Sequence, residues 1–323
     1  MAEVDPLPSD PMGLLHAGYQ ALEALDAEAA AVIGQRLVEL GEPAGFELIA
    51  QARMRQGRGD DAVAAMEQAV SSASAGWSAW NRLGAVCSET GRLERAEQAF
   101  RRALDDSFSD TSAVHVNLAM LCARRGMTEQ ALRWCERVTD RAWEATVGQV
   151  RAGALAAAGR WQEVLEGTEG LAERLEADAG SPMDREPLAR LCGLRARALA
   201  HTGQGEQAAG FARIALALRA TCDEALEAMR EACGERTERG RCYHVLVRGR
   251  WHEPLEPGGK APIFLRTFHV VADAPEEAVR FAMDLEREEL RGSLEAGKAR
   301  DEGAAETGYK GVTSCSGYMF QPG

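Results

Sequence analysis

The sequence of 323 residues has very few lysines and no stretch rich in basic side chains. Only Lys260, Lys298 and Lys310 are lysines among the 37 basic residues, and the net charge is -13. The acidic excess lies in residues 1–238, which carry 37 acidic and 25 basic residues. A surface of this sign repels phosphate backbones and anionic lipid headgroups. The composition therefore argues against nucleic acid as a ligand.

Long hydrophobic runs are absent as well. A membrane-spanning helix needs about 20 predominantly apolar residues, and the sequence contains no such run. Its first residues, MAEVDPLPSDP, have neither the basic segment nor the apolar segment of a secretory signal. The eight cysteines form no C-x-x-C pair and are expected to be reduced thiols. These features predict a cytoplasmic protein that makes no contact with membranes.

Motifs that carry catalysis or hold a cofactor or metal are also missing. The segment GGKA at 258–261 lacks the flanking residues of a phosphate-binding loop, so a hairpin-type loop is expected there. Of four possible metal ligands only Cys242 and His244 are closely spaced, and the other two are His252 and His269. A polar sheet face is therefore favoured over a metal site. We predict no enzyme activity, no cofactor and no metal.

What the sequence does contain is an internal repeat of about 34 residues. Its most regular marker is a glycine, with spacings of 34, 35, 33 and 44 residues between copies, at Gly57, Gly91, Gly126, Gly159 and Gly203. Small residues recur seven positions before each glycine and, in four of the five copies, five positions after it. A glycine can take the left-handed conformation that reverses the chain, and small side chains let two helices approach closely. The pattern predicts a stack of antiparallel helix pairs.

The best copy, at 77–110, carries Trp80, Leu83, Gly84, Ala96, Phe100 and Ala103. This pattern resembles the tetratricopeptide repeat family, whose signature W-x2-L-G-x2-Y and then A-x3-F marks one antiparallel helix pair. The resemblance implies a mostly α-helical protein, with a right-handed α-solenoid of helical hairpins at 43–240. Residues 222–240 are expected to form its terminal capping helix, and residues 179–188 a loop. Residues 1–42 are expected to add a helical hairpin or a degenerate repeat, whose register stays open.

Residues 241–323 follow another pattern and predict a small α+β domain. Tyr243, Val245 and Val247 alternate with other residues as in a strand, and IFLRTFHVVA supplies a second strand. DAPEEAVRFAMDLE is expected to form a helix, with Asp273 as N-cap and Glu276 completing a capping box. The third strand is expected in YKGVTSCSGYMF. The predicted order is ββαβ, and its motifs match no family.

The resemblance also implies a binding surface. In this family the first helix of each pair lines a concave groove that binds a protein segment. Carried onto this sequence, the groove residues are Gln51, Arg55, Asn81, Arg82, Asn117, Met120, Arg124, Arg197 and His201. Asn117 stands in a column where the family often keeps an amide for a ligand's backbone, and the arginines could bind an acidic peptide. The alternative is that these arginines pair with neighbouring glutamates.

We therefore predict a non-catalytic scaffold or adaptor that binds a partner protein or peptide. One alternative makes the C-terminal domain an inhibitor or immunity-type module that blocks a toxin or enzyme. Another is an enzyme with a site at the junction of the domains, which would need a deep polar pocket around His244, His269 and Tyr318. The excess of arginine over lysine is typical of a bacterial sequence from a GC-rich genome. No oligomeric state is predicted.

Overall fold

The chain divides into two compact units, Met1–Trp143 (unit 1) and Glu144–Gly323 (unit 2). The structure is a computed structural model and describes residues 8, 10–72, 75–106, 111–171, 185–254, 259–305 and 308–321. The division into residues 1–42, 43–240 and 241–323 remains a prediction.

The described residues of unit 1 form eight α-helices in four consecutive hairpins. They are α1 Pro11–Glu23, α2 Ala27–Glu39, α3 Ala44–Arg55, α4 Gly59–Ser71, α5 Trp77–Glu89, α6 Leu93–Asp105, α7 Ser112–Arg124 and α8 Thr128–Cys135. A single 3-10 turn at Arg141–Trp143 ends the unit. The two helices of each hairpin contact each other. The predicted helix pairs are confirmed.

The turn between the helices of a hairpin depends on one residue in the left-handed conformation. The repeat glycines of unit 1 have φ angles of 71 at Gly57, 78 at Gly91 and 70 at Gly126. In the first hairpin this position is occupied by Leu25, which has φ 62 and is 79% exposed. Gly18 stands seven residues before it and Ala30 five after, as in the other copies. The structure thus sets the register of the first hairpin, with a leucine at the glycine position.

Small residues allow the two helices of a hairpin to pack at short distance. At Gly84, an added Cβ would lie 2.4 Å from Cε1 of Phe100, which is itself 1% exposed. Around this contact, the buried core of unit 1 includes Met66, Leu83 and Leu118. The recurring small columns of the sequence are therefore the sites of close helix contact.

Unit 2 begins with five described helices. They are α9 Glu144–Ala157, α10 Trp161–Thr168, α11 Arg185–His201, α12 Gly205–Leu218 and α13 Asp223–Cys233. Of the predicted loop at 179–188, residues 179–184 lie outside the described residues, and helix begins at Arg185. The predicted capping helix is shorter than expected. It ends at Cys233 because Gly234 takes the left-handed conformation, with φ 70, and a strand follows.

The rest of unit 2 is an antiparallel sheet with two helices. The strands are β1 Arg236–Thr237, β2 Arg241–Arg250, β3 Ile263–Ala272, β4 Glu295–Ala296, β5 Arg300–Ala304, β6 Gly308–Tyr309, β7 Gly311–Cys315 and β8 Met319–Gln321. The helices are α14 Pro275–Asp284 and α15 Glu288–Arg291. The predicted order is confirmed for β2, β3, α14 and β7. The short strands β4, β5 and β8 extend this sheet to six strands, and β1 pairs with β6.

Strands β2 and β3 pair along their whole length, from Arg241 opposite Ala272 to Arg250 opposite Ile263. One face of this ribbon is buried, with Val245 and Phe268 inaccessible to solvent, and packs against helix α14. The two-residue alternation of the sequence therefore corresponds to a sheet with one buried face.

The predicted capping box of α14 is wrong by one residue. The N-cap is Ala274, because Pro275 occupies the first helical turn, where its missing N–H costs nothing. The side chain of Glu277, rather than Glu276, accepts a hydrogen bond of 2.8 Å from the backbone N–H of Asp273. The Asp273 carboxylate accepts from the Thr237 hydroxyl and pairs with Lys310.

In the described structure the eight cysteines form no disulfide bond. Burial raises the pKa of the Cys87 thiol and of the Cys122 thiol, and raises that of Cys222 to about 12. These side chains are packing groups at neutral pH. In the described parts of the chain, no helix is both long enough and apolar enough to cross a bilayer.

Candidate functional site

The predicted groove residues of unit 1 lie on the first helices of successive hairpins. Helix α3 contacts α1 and α5, and α5 in turn contacts α7, so the first helices form one continuous layer. We call the surface of this layer the first-helix face. Seven predicted residues lie on these helices: Gln51, Arg55, Asn81, Arg82, Asn117, Met120 and Arg124.

Three of these residues line one cavity of about 430 Å³, formed by Gln51, Arg55 and Arg82 with Glu47 and Glu89. Arg82 Nε lies 2.7 Å from Glu47 Oε2. Burial raises the pKa of the Glu47 carboxyl, and the Arg82 guanidinium opposes that shift. Arg82 therefore follows the alternative expectation, since it pairs with a glutamate of the neighbouring repeat.

Arg55 differs from Arg82 in its partner. Its Nη1 donates a hydrogen bond of 2.8 Å to the backbone carbonyl of Leu22, and among the described residues it pairs with no carboxylate. A carbonyl orients the guanidinium but leaves its charge uncompensated. Arg55 can still attract a ligand carboxylate.

The amides of Asn81 and Asn117 meet on the first-helix face. Asn117 Nδ2 donates a hydrogen bond of 2.9 Å to Asn81 Oδ1, across two successive repeats. Within the described part of the chain, the side-chain atoms Asn117 Oδ1 and Asn81 Nδ2 make no hydrogen bond. The pair therefore offers one acceptor and one donor, which is the set that a peptide backbone requires.

Arg124 and Met120 lie further along the same helix as Asn117. Arg124 Nη1 donates to the carbonyl of Ser88 at 2.9 Å and to its hydroxyl at 3.1 Å, so its position is fixed from the preceding repeat. The Met120 side chain is unusually accessible for its type, since the residue is 41% exposed. The face thus combines an amide pair with a held cation and an exposed apolar group.

The two remaining predicted residues belong to unit 2. The His201 ring stacks on Trp161 with centroids 4.0 Å apart, and the Arg197 guanidinium lies 5.4 Å from the same indole. Arg197 Nη1 lies 2.9 Å from Glu227 Oε2, and His201 Nε2 lies 3.5 Å from Glu231 Oε2. Both side chains are therefore engaged by residues of their own unit.

The three side chains proposed for a junction site do not converge. His244 and His269 face each other across β2 and β3, with ring centroids 5.2 Å apart and Glu302 beside His269. Tyr318 lies on the other side of the sheet, where its hydroxyl is bonded to Glu286. In the residues that the structure describes, no group of three or more His, Cys, Asp or Glu could hold a metal ion.

Several residues of these surfaces were not singled out from the sequence. They are Met54, Ser88, Trp161, Glu227 and Glu231. Trp161 carried a usable signal, since it follows the turn glycine Gly159 by two residues, where a hairpin turn meets its second helix. The two glutamates carried none, because helix charges are usually solvated.

The fold consists of successive helical hairpins, each with one turn residue in the left-handed backbone conformation, that stack through their first helices. This arrangement defines the helical-repeat proteins as a class. Within this class, residues 48–110 and 89–146 match the family model for the tetratricopeptide repeat. Residues 48–146 of the chain are therefore tetratricopeptide repeats.

Solved structures of low sequence identity share this fold. PilW, described as a widely conserved type IV pilus biogenesis factor, is 14% identical with a TM-score of 0.55, covering 69% of this chain and 99% of that one. PilF of Pseudomonas aeruginosa is 18% identical with a TM-score of 0.52, covering 67% and 95%. A chain of the APC/C hetero-tetramer Cut9-Hcn1 is 14% identical with a TM-score of 0.54, and this chain covers 44% of its length. No curated protein sequence matches the chain.

Proposed function

We propose that this protein is a non-catalytic scaffold that binds a segment of a partner protein on the first-helix face of unit 1. The observation that carries the proposal is the Asn81–Asn117 amide pair, which presents one free acceptor and one free donor to a peptide backbone. Arg55 and Arg124 provide positive charge without a carboxylate partner in the described part of the chain, so acidic side chains are favoured in the ligand. The exposed Met120 supplies an apolar contact.

The repeat fold and its relatives support this proposal at the level of the fold. Solved structures that share this fold include the pilus biogenesis factor PilW and a chain of the APC/C hetero-tetramer Cut9-Hcn1. We further infer a cytoplasmic location, which agrees with the lack of disulfide bonds among the described residues.

The proposal is tested by cross-linking in the native host. A photoreactive phenylalanine analogue is placed at Met120, or at the exposed Arg133 of α8 as a matched control on a second helix. We expect a cross-linked partner from position 120 and none from position 133.

A second measurement uses substitutions on the same face. The triple variant Arg55→Ala, Asn117→Ala and Arg124→Ala should recover the cross-linked partner at least about 10-fold less well, since each hydrogen bond from a guanidinium to a ligand carboxylate contributes about 1.5–3 kcal/mol. Binding should also weaken as salt is added, because exposed charges are screened. Equal recovery of the partner by the triple variant and by the natural chain would show that the first-helix face is not the binding surface.

A further inference from the structure

Unit 2 contains a cavity of about 470 Å³ with an unusual concentration of arginine. Helix α12 forms one wall, and the segment from Leu285 to Arg291 forms the opposite wall. The charged residues of the lining are Arg213, Arg266, Arg287, Arg291, Glu286 and Glu289. We call it the arginine cavity.

One arginine of this cavity is already neutralised. Arg266 Nη1 lies 3.1 Å from Glu286 Oε1, with only 3% of one side chain and 0% of the other exposed. The hydroxyl of Tyr318 donates to the second oxygen of Glu286 at 2.8 Å. Burial and the charge of Glu286 raise the pKa of Tyr318, so this hydroxyl stays a donor at neutral pH. Arg266 and Glu286 therefore form a fixed floor that adds no net charge.

The other three arginines pair with no carboxylate among the described residues. Arg287 Nη2 donates to the carbonyl of Ala217 at 2.9 Å, and Arg291 Nη2 donates to that of Asp284 at 2.8 Å. These bonds orient both guanidinium groups toward one space but leave their charges uncompensated. Arg213 lines the cavity, is exposed and makes no hydrogen bond or ion pair within the described chain.

Two further observations indicate that the arginines of this cavity lack a negatively charged ligand. The Nε of Arg287 is buried and has no hydrogen-bond partner in the described structure, which is costly for a polar group. Glu289 is the only carboxylate of the lining besides Glu286, so four arginines face two glutamates. The lining of this cavity therefore carries a net positive charge, although the chain as a whole has a net charge of -13.

We propose that the arginine cavity binds a small oxyanion that carries several negative charges, in the form of phosphate or carboxylate groups. Guanidinium groups bind both kinds of group through paired N–H donors, and a planar fork suits them better than a lysine would. The volume falls in the range of about 300–1,000 Å³ typical of small-molecule sites. This site is independent of the first-helix face of unit 1.

Isothermal titration calorimetry on the full chain at low salt tests the proposal, with pyrophosphate and citrate as separate probes. Binding of either probe supports the site, and the tighter one identifies the phosphate or the carboxylate source. The variant Arg213→Gln should weaken binding about 10-fold, as expected for loss of one charged hydrogen bond. The double variant Arg213→Gln and Arg291→Gln should weaken it further.

The matched control is Arg239→Gln, which removes an exposed arginine of the same unit outside the cavity. It should change the affinity less than 2-fold, since its charge acts only through screened solvent. Two results would overturn the proposal: no heat of binding for either probe at millimolar concentration, or an equal loss of affinity in Arg213→Gln and Arg239→Gln. Circular dichroism checks that each variant is folded.

Discussion

At the scale of the residue, the first hairpin departs from the repeat at a single position. Leu25 takes a left-handed conformation with φ 62, where the later repeats have glycine. A left-handed conformation costs a residue with a Cβ about 1–2 kcal/mol. Leu25 is 79% exposed, so its side chain gives little burial in return.

We therefore expect Leu25→Gly to stabilise the protein by about 1 kcal/mol. The reciprocal change, Gly91→Ala, should destabilise the protein by a similar amount, because Gly91 has φ 78, a conformation that is unfavourable for alanine. An added Cβ would meet no atom within 4 Å, so the change tests the backbone conformation alone. Urea denaturation monitored by circular dichroism measures both. The same sign of change in both variants would show that backbone conformation does not set these turns.

Arg266 is a buried charge whose burial can be inferred from the sequence. In IFLRTFHVVA, Arg266 has the same alternation as the buried Phe264 and Phe268. An arginine in a buried register implies a buried partner. The partner Glu286 could not be identified, because it follows a helix whose position relative to the strand depends on tertiary packing.

At the scale of the element, helix α14 is joined to neighbouring strands through its first turn. The Asp273 carboxylate accepts hydrogen bonds from Lys310 and from Thr237, which lower its pKa below the usual value. Lys310 also donates to Glu277 at 3.1 Å. One lysine therefore connects the start of the helix to the strand region at Gly308–Cys315.

This arrangement predicts a pH dependence. An aspartate whose folded pKa is lowered stabilises the fold above its unfolded pKa of about 3.9, and the contribution is lost as the pH falls through the folded value. The variant Asp273→Asn should therefore have a lower Tm than the natural chain at pH 7, and the difference should shrink as the pH falls below about 3.9.

The control for this prediction is Glu276→Gln, which removes an exposed charge from the same turn without breaking a hydrogen bond or ion pair of the described structure. Scanning calorimetry across the pH range compares the two variants. A difference for Asp273→Asn that persists unchanged at pH 2 would exclude the ionised carboxylate as its cause.

The elements were predictable to the extent that they carry their own periodicity. Strands β2 and β3 are ten residues each and alternate clearly, so the sequence alone identifies them. Strands β4, β5 and β8 have two, five and three residues, and RDEGA in β5 is mostly polar. Such segments become strands because β2 and β3 offer free edges, which is a property of the folded sheet.

At the scale of the whole molecule, the repeat region has mainly local contacts between neighbouring helices. In such arrays stability is roughly the sum of each repeat and its interfaces with its neighbours. A defect in one hairpin should therefore loosen that hairpin and those beside it, while distant elements keep their stability.

Gly84→Ala tests this locality. Its Cβ would lie 2.4 Å from Phe100, so overpacking should destabilise the hairpin by about 1–3 kcal/mol. Hydrogen exchange should speed up in α5 and α6 and stay unchanged in β2 and β3.

The comparison variant is Gly210→Ala in α12, where an added Cβ meets no atom within 4 Å. It should stabilise its helix by about 0.5–1 kcal/mol, because alanine is the better helix former. Faster exchange throughout the chain in Gly84→Ala would contradict a local response.

The binding face could be located from the sequence only as far as the repeat resemblance extends. The period aligns Asn117 with Arg82 of the preceding repeat, one residue after Asn81, and the structure joins the amides of Asn117 and Asn81. Whether an arginine keeps its charge available depends on which neighbour reaches it. Arg82 meets Glu47, whereas Arg124 meets an uncharged serine.

The buried pair of Arg266 and Glu286 constrains how this fold can diverge. Removing one member alone would leave the other charge buried without a partner, which typically lowers the free energy of unfolding by about 3–5 kcal/mol. Replacing both members with apolar residues can be neutral. Among descendants of this sequence, positions 266 and 286 should therefore be inherited together or exchanged together.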